Sequence, residues 1–328
     1  MKSIVSTLAL AAAVAAESRT SAPEGCLDVA QSGGDYSTVQ AAVDSLSTTD
    51  AADQCIFINP GTYKEQVLVS SRAAQLTIYG YTTDTASYSG NQVTITSSKS
   101  QDDGLSNDET ATLRVKAADF KLYNVNVENS FGEGSQAVAL SAYADSGYYA
   151  SQFLGFQDTV LANRGSQLFA KSLIQGATDF IFGMEAAAWF EDCDIRVLAR
   201  SIGYITANGR EDDDSSSYYV FNNCDVAAAS GNSVPSGAYY LGRPWREYAR
   251  VVFQNTALSA VINEDGWRIW NDDDPRIDAV LFGEYNNSGA GASTSRVDFA
   301  TILSSAVAIA SILGSGHTNA GYYDASYM

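Results

Sequence analysis

Histidine is almost absent from this sequence: His317, near the C-terminus, is the only one in 328 residues. No G-x-S-x-G segment occurs either, so the chain offers little material for a Ser-His-Asp triad. We interpret His317 as a surface or C-terminal packing residue. A glycine-rich phosphate loop and a dinucleotide-binding fingerprint are also missing. These absences argue against the serine hydrolases and the nucleotide-binding classes.

Basic residues are scarce, with 19 Lys and Arg against 38 Asp and Glu, and the formal net charge is −19. Such a surface is a poor partner for nucleic acid and for anionic membranes. Three acidic runs, Asp102–Asp103, Asp212–Asp214 and Asp272–Asp274, lack the spacing of a calcium-binding EF-hand. We therefore expect solvated loops there, and we expect no metal and no cofactor.

No stretch after the N-terminus is apolar enough to resemble a membrane span. The N-terminus carries Lys2 and then an apolar run, 4–16, which ends in small residues. This pattern is typical of a secretory signal peptide over residues 1–16, with cleavage near Ala16. Because no Pro-rich or Ser-rich linker interrupts the remainder, we predict a secreted, extracellular chain with a single domain over 17–328.

Only four cysteines are present, Cys26, Cys55, Cys193 and Cys224. None belongs to a C-x-x-C pair, and a single histidine cannot complete a Cys/His zinc site. An exported protein with four cysteines favours two disulfides. Asn286 begins a glycosylation sequon, which predicts an exposed loop.

Short β-rich runs recur along the chain, separated by Gly, Asn and Asp. Several runs share an aromatic residue followed three positions later by a small or polar one, at spacings of 20, 21, 31 and 32 residues. The pairs are Tyr149 and Gln152, Phe169 and Ser172, Phe190 and Cys193, Phe221 and Cys224, and Phe253 and Thr256. Repeats of this length with short strands predict an all-β parallel β-helix, whereas a propeller would need more even spacing.

The repeat makes a prediction about the disulfides. Cys193 and Cys224 occupy the same position in consecutive repeats, so stacking would bring their Cα atoms within disulfide range. Cys26 and Cys55 would then form the second pair.

The two ends of the chain are expected to cap the solenoid. Ser37 or Thr38 is a suitable N-cap for a short helix with apolar positions at i, i+3, i+4 and i+7. Such a helix would cover the open edge of the first coil. Near the other end, the apolar segment 302–313 is expected to pack along the solenoid.

Four polar residues recur at the spacing of one coil. Gln136 and Gln157 are 21 residues apart, and so are Asp158 and Asp179. Coil stacking would place the two amides side by side and the two carboxyls side by side. Neighbouring carboxyls cannot both ionise cheaply, so one would act as a nucleophile and the other as an acid. On spacing alone, a purely structural ladder of hydrogen bonds remains an equally open alternative.

The segments around these residues resemble the signature segments of pectin methylesterases, and they occur in the order of that family. The five segments are Gly61-Thr-Tyr-Lys-Glu65, Gln136-Ala-Val-Ala-Leu140, Gly155-Phe-Gln-Asp-Thr159, Asp179-Phe-Ile-Phe-Gly183 and Leu241-Gly-Arg-Pro-Trp245. The resemblance runs from about Val29 to the C-terminus and is closest to fungal members. Phe156 and Val160 are mild departures from the usual residues.

The resemblance implies a right-handed parallel β-helix without a cofactor, and it assigns roles to the site residues. Asp179 would attack the C6 methyl ester of a galacturonan, held ionised by Arg243. Gln157, with Gln136, would stabilise the oxyanion. Asp158 would protonate the departing methanol and then activate water.

The implied partner is methyl-esterified polygalacturonan, a nearly neutral polymer that suits an acidic surface, bound by a monomer. Trp245 would stack on the sugar ring, with Phe182 and Trp267 also lining the cleft, together with Arg243 and Gln136. Other hypotheses remain: a calcium-dependent lyase, an inverting hydrolase on the same fold, or a non-catalytic solenoid that binds polysaccharide.

Overall fold

Single residues in a left-handed backbone conformation end many of the short strands. Asn124, Asn223 and Asn255 have φ of 55°, 55° and 51°, a region that Asn tolerates better than most residues. Each lies between a strand of one sheet and a strand of the next. The β-rich run 120–127 is therefore two strands, Phe120–Tyr123 and Asn126–Asn129, joined at a corner by Asn124.

The computed structural model describes residues 17–328, and the predicted signal peptide 1–16 lies outside the described residues. Within 17–328 the strands form three sheets of eleven, eight and seven strands, and every pair of named neighbouring strands is parallel. The chain visits the sheets in turn, which is the arrangement of a parallel β-helix.

The eleven-stranded sheet contains, in spatial order, Leu27–Val29, Gln54–Ile58, Leu76–Gly80, Phe120–Tyr123, Ser146–Tyr149, Ser166–Ala170, Ala187–Glu191, Tyr218–Asn222, Arg250–Gln254, Leu281–Tyr285 and Ala300–Ile302. The eight-stranded sheet contains Gly61–Lys64, Val93–Ser97, Asn126–Asn129, Gln152–Leu154, Leu173–Gly176, Asp194–Val197, Asp225–Ala228 and Ala257–Leu258. The seven-stranded sheet contains Val67–Val69, Leu113–Val115, Leu140–Ala142, Val160–Ala162, Ile181–Gly183, Gly203–Asn208 and Tyr239–Gly242.

Aromatic side chains stack through the interior of the coils. Tyr148, Phe169, Phe190, Phe221 and Phe253 form a continuous column with ring centroids 4.3 to 4.7 Å apart. The predicted column is confirmed except at its first member. The register pairs Phe169 with Tyr148, so both steps there are 21 residues, and the outward-facing neighbour Tyr149 was the wrong landmark.

The residues three positions after these aromatics form a second column at the corner between two sheets. The members are Ser151, Ser172, Cys193, Cys224 and Thr256. Each hydroxyl or thiol donates to the carbonyl oxygen two residues earlier, at 2.9 to 3.4 Å. The two cysteines thus occupy hydroxyl positions in a hydrogen-bonded ladder.

This ladder corrects one of the predicted disulfides. Cys193 and Cys224 do lie on neighbouring coils, but both are buried free thiols. Each sulfur is directed at backbone carbonyls of its own coil and of the coil before it, rather than at the other sulfur. The second predicted pair is confirmed: Cys26 and Cys55 form a disulfide with their Cα atoms 4.6 Å apart.

The first coil is covered by a short helix, Val39–Ser45, whose N-cap is Thr38. The carboxylate of Glu65 accepts hydrogen bonds from the amides of Val39 and Gln40, both at 2.9 Å. A negative charge at this end is favoured by the helix dipole. The helix contacts the first strands of the eleven- and seven-stranded sheets, as a cap should.

The C-terminal segment packs on the outer face of the eleven-stranded sheet. Its helix, Ile309–Leu313, buries Ile312 and Leu313 against strands 166–170 and 187–191. His317 is buried in the same segment, where its ring lies edge-on to Tyr323 at 5.1 Å. The remaining α-helix is Asn107–Thr110, and single 3-10 turns occur at Tyr88–Gly90, Gln101–Asp103, His317–Asn319 and Ala325–Tyr327.

The acidic runs and the sequon residue are exposed, as their sequences predict. Within residues 17–328 no three His, Cys, Asp or Glu side chains converge so as to hold a metal ion. The helices of this described part are all too short to cross a membrane.

Candidate active site

Two aspartates occupy equivalent corners of consecutive coils. Asp158 and Asp179 lie just before strands Val160–Ala162 and Ile181–Gly183 of the seven-stranded sheet. Both have left-handed backbones, with φ of 64° and 49°. The amide of Asp158 donates to the carbonyl of Thr178 at 3.1 Å, which fixes the two corners against each other. The carboxyls therefore face the same cleft from adjacent coils, as the 21-residue spacing predicts.

Arg243 reaches one of the two carboxyls. It follows strand Tyr239–Gly242, and its amide donates to the carbonyl of Thr206 at 3.0 Å. Its Nε donates to Asp179 Oδ1 at 2.9 Å, and its Nη2 donates to Oδ2 at 2.6 Å. Asp158 receives no such pairing from a side chain among residues 17–328. The arrangement distinguishes two chemically identical residues.

Burial and charge separate the pKa values of this pair. Asp158 is 7% and Asp179 is 8% exposed, and this burial raises the pKa of both carboxyls because it disfavours the charged form. At Asp179 the two hydrogen bonds and the charge of Arg243 oppose the rise. At Asp158 the neighbouring charge of Asp179 adds to it, so its pKa lies well above the usual range. Asp179 is thus the carboxyl that ionises first.

Amide side chains line the same cleft. Gln136 and Gln157 are both half-buried there, and the amide of Ala137 donates to the carbonyl of Gln157 at 3.1 Å. Two further amides, Gln101 and Asn107, were not found from the sequence. They come from a loop and a short helix outside the regular coils, joined by a hydrogen bond of 2.6 Å. Since they lack the coil spacing, only their shared proximity to Gln136 reveals them.

The outer face of the seven-stranded sheet carries an apolar stripe beside the aspartates. It consists of Ala111, Val138, Leu161, Phe182 and Ala207, with Tyr143 and Trp245 packed against it. Phe182 and Trp245 are 5.9 Å apart between ring centroids and both line the cleft, as predicted. A flat apolar wall next to polar groups is suited to the face of a sugar ring.

Trp267 does not line the cleft, and this prediction is wrong. It is fully buried in the core, stacked on Phe282 at 4.4 Å, with its Nε1 donating to Glu284 at 3.2 Å. Three residues later the chain emerges, and Trp270 lines the cleft instead. The sequence contains both tryptophans in one segment, and only the burial of Gly266 and Trp267 beside the last coils decides which one faces solvent.

The cleft has a volume of about 360 Å³ and brings together Asp158, Asp179, Arg243, Gln136 and Gln157. An ionised carboxylate, a neighbouring protonated carboxylic acid and amide donors are sufficient for acyl transfer without a metal. The fold and the site therefore define a carboxylic ester hydrolase on a β-helix.

Comparison with known proteins agrees with this class. The pectinesterase family model matches residues 27–311. Curated pectinesterases of Aspergillus niger and Aspergillus aculeatus are 48% and 49% identical, and the alignments cover the whole of this chain and 99% and 100% of those proteins. The crystal structure of the Aspergillus niger pectin methylesterase superposes with a TM-score of 0.88 at 46% identity, covering 95% of this chain and all of that one.

The chain belongs to the pectinesterase family, the carboxylic ester hydrolases that remove methyl groups from pectin. The structural match also confirms the right-handed parallel β-helix.

Proposed function

We propose that this pectinesterase hydrolyses the C6 methyl esters of methylated homogalacturonan through an acyl-enzyme formed on Asp179. The observation that supports this most directly is the two-pronged hydrogen bond from Arg243 to Asp179, with the unpaired Asp158 on the adjacent coil. The arrangement supplies one ionised and one protonated carboxyl at the same pH.

In the first half-reaction a carboxylate oxygen of Asp179 attacks the ester carbonyl carbon. Asp158 donates its proton to the leaving methoxy oxygen as the carbon–oxygen bond breaks, and methanol departs. The product is an acid anhydride between Asp179 and the C6 carboxyl. In the second half-reaction Asp158, now a carboxylate, takes a proton from water, and the hydroxide oxygen attacks the C6 carbonyl. Asp179 is released as a carboxylate, and Asp158 is again protonated.

The oxyanion that develops in both steps needs hydrogen-bond donors. The side-chain amides of Gln157 and Gln136 lie in the cleft beside the aspartates and supply N–H groups for it. Removing one such donor from an acyl-transfer site typically lowers kcat by about 10²- to 10³-fold.

The apolar wall places the sugar. Trp245, with Phe182 behind it, offers a face on which a galacturonate ring stacks, and Trp270 closes the other side near Arg243. A methylated segment approaches a chain with a net charge of −19 without repulsion. The ionised product is repelled, and this repulsion favours its release.

The same proposal includes secretion as a monomer with a single catalytic domain. The leader at 1–16 and the disulfide between Cys26 and Cys55 suit an exported protein. Asn286 is exposed and thus accessible to glycosylation in the secretory pathway.

The test is a methanol-release assay on methylated pectin, run with and without a chelator. We expect methanol in both arms, with no shortening of the polymer and no unsaturated ends. A requirement for calcium with unsaturated ends would favour a lyase, and new reducing ends would favour a hydrolase of the backbone. Binding of pectin without methanol would favour a non-catalytic solenoid and would overturn the proposal.

A further inference from the structure

The arginine that pairs with Asp179 is itself flanked by two aromatic rings. The guanidinium carbon of Arg243 lies 4.1 Å from the ring centroid of Tyr204 and 4.4 Å from that of Trp270. Trp270 belongs to the cleft wall, whereas Tyr204 is 8% exposed and lies outside the set of cleft-lining residues. No step proposed above uses Tyr204.

The backbone places Tyr204 in a rigid position. It belongs to strand Gly203–Asn208, in the coil before the strand that leads to Arg243. Its amide donates to the carbonyl of Ala177 at 3.1 Å. Its ring stacks on Tyr240, its register partner in the next coil, with centroids 5.8 Å apart and planes inclined by 22°.

The pairing of Arg243 with Asp179 depends on the orientation of the guanidinium plane. Both Nε and Nη2 donate to separate oxygens of Asp179, so a rotation of the plane would break at least one bond. The arginine side chain has several rotatable bonds, and no other acidic side chain within residues 17–328 pairs with it. A fixed aromatic face restricts such rotation and also attracts the cation.

We propose that Tyr204 is a positioning residue for catalysis, whose ring holds the Arg243 guanidinium in the plane that pairs with both oxygens of Asp179. The inference rests on the proposed function, because it assumes that Asp179 is the nucleophile. It goes beyond that function by assigning a role to a buried residue that does not line the cleft.

The decisive comparison is between Tyr204→Phe, which keeps the ring, and Tyr204→Leu, which removes it. The phenolic hydroxyl has no part in the proposal, so Tyr204→Phe should keep the kcat and the pH profile of the wild type. Tyr204→Leu should lower kcat by about three- to tenfold, the effect of one lost cation–π contact. It should also move the acid limb of the kcat/KM profile to higher pH, because a poorly held Arg243 stabilises the Asp179 carboxylate less. KM should change little.

Tyr240→Leu is the matched control, since it removes a ring of the same stack that does not contact Arg243. A merely structural role for the stack predicts the same kinetic change in Tyr240→Leu and Tyr204→Leu, and that result would overturn the proposal. A wild-type pH profile in Tyr204→Leu would overturn it as well, and so would an equal defect in Tyr204→Phe. If Tyr204→Leu does not fold, Tyr204→Met fills more of the volume without a ring and serves in its place.

Asp179→Asn separates this inference from the proposed function. Activity that survives in Asp179→Asn contradicts the nucleophile assignment itself. An inactive Asp179→Asn together with an unaltered Tyr204→Leu contradicts only the role of Tyr204.

Discussion

Asp158 and Asp179 occupy the same corner of consecutive coils, yet Arg243 pairs with Asp179 alone. A regular repeat supplies two equivalent carboxyls, and one long side chain from two coils further along makes them different. The difference in pKa that follows from this asymmetry is the basis for several predictions.

Substituting either aspartate should abolish most methanol release. Asn is the suitable replacement, because both backbones are left-handed and Asn tolerates that conformation. Asp158→Asn removes the acid and base, for which a loss of about 10²- to 10⁴-fold in kcat is typical. Asp179→Asn removes the nucleophile and should be at least as severe. Asp192→Asn is a matched control, since Asp192 has φ of 50° at an exposed corner of the fold and pairs only with Lys171. Equal losses in all three variants would indicate a general defect in the fold instead.

Arg243→Gln should move the acid limb of the kcat/KM profile to higher pH. The arginine opposes the effect of burial on the pKa of Asp179, and its removal lets that pKa rise further. A neighbouring opposite charge typically lowers a carboxyl pKa by about 1 to 3 units, so the limb should move by a similar amount. Arg268→Gln is the control, because Arg268 lies near Tyr240 and makes no ion pair with the aspartates. An unmoved limb in Arg243→Gln would contradict the pairing as a catalytic feature.

Asp158→Asn should stabilise the fold at neutral pH while it destroys activity. The pKa of Asp158 is raised in the folded state, so the folded form binds more protons than the unfolded form between the two pKa values. Stability is therefore fully present below the unfolded pKa and is lost as the pH rises through the folded pKa. Asn does not titrate, so the gain should be on the order of 1 kcal/mol or more at pH 7 and small near pH 3. Thermal unfolding at the two pH values checks this; a gain that is equal at both would refute it.

Only two thiols should react with a thiol reagent, and only after unfolding. Cys193 and Cys224 are buried and free, and the pKa of the Cys224 thiol is raised by burial. Cys224→Ser should retain the ladder, because Ser172 and Thr256 hold the equivalent positions with hydroxyls. Cys26→Ser breaks the disulfide and should cost about 2 to 4 kcal/mol of stability. Four reactive thiols, or none, in the denatured protein would contradict the pairing.

Trp267 and Trp270 should respond differently to truncation. Trp267→Ala empties a fully buried site and should cost about 3 to 5 kcal/mol of stability. Trp270→Ala removes a cleft wall and one neighbour of Arg243, so it should weaken pectin binding and lower kcat/KM with little loss of stability. Denaturant unfolding and steady-state kinetics on both variants distinguish the two positions. The opposite pattern would contradict the assignment of Trp270 to the cleft.

The repeat length was sufficient to predict the stacking, because consecutive coils place residues one period apart on neighbouring rungs. The aromatic column, the neighbouring aspartates and the disulfide between Cys26 and Cys55 followed from it. The predictions failed where a one-residue choice or the direction of a side chain mattered. Tyr149 was taken for Tyr148, and adjacent rungs at Cys193 and Cys224 were taken to imply a bond between the sulfurs.

The sequence by itself determined the β-helix, its caps and the membership of Asp158, Asp179 and Arg243 in one site, because spacing and local segments carry that information. Tertiary structure alone decided which tryptophan faces the cleft, which loop amides join it, and that Tyr204 holds Arg243. These outcomes depend on where irregular loops leave the coils and on which side chains pack beneath them. Such contacts join residues far apart in the chain with no fixed period, so no pattern along the sequence records them.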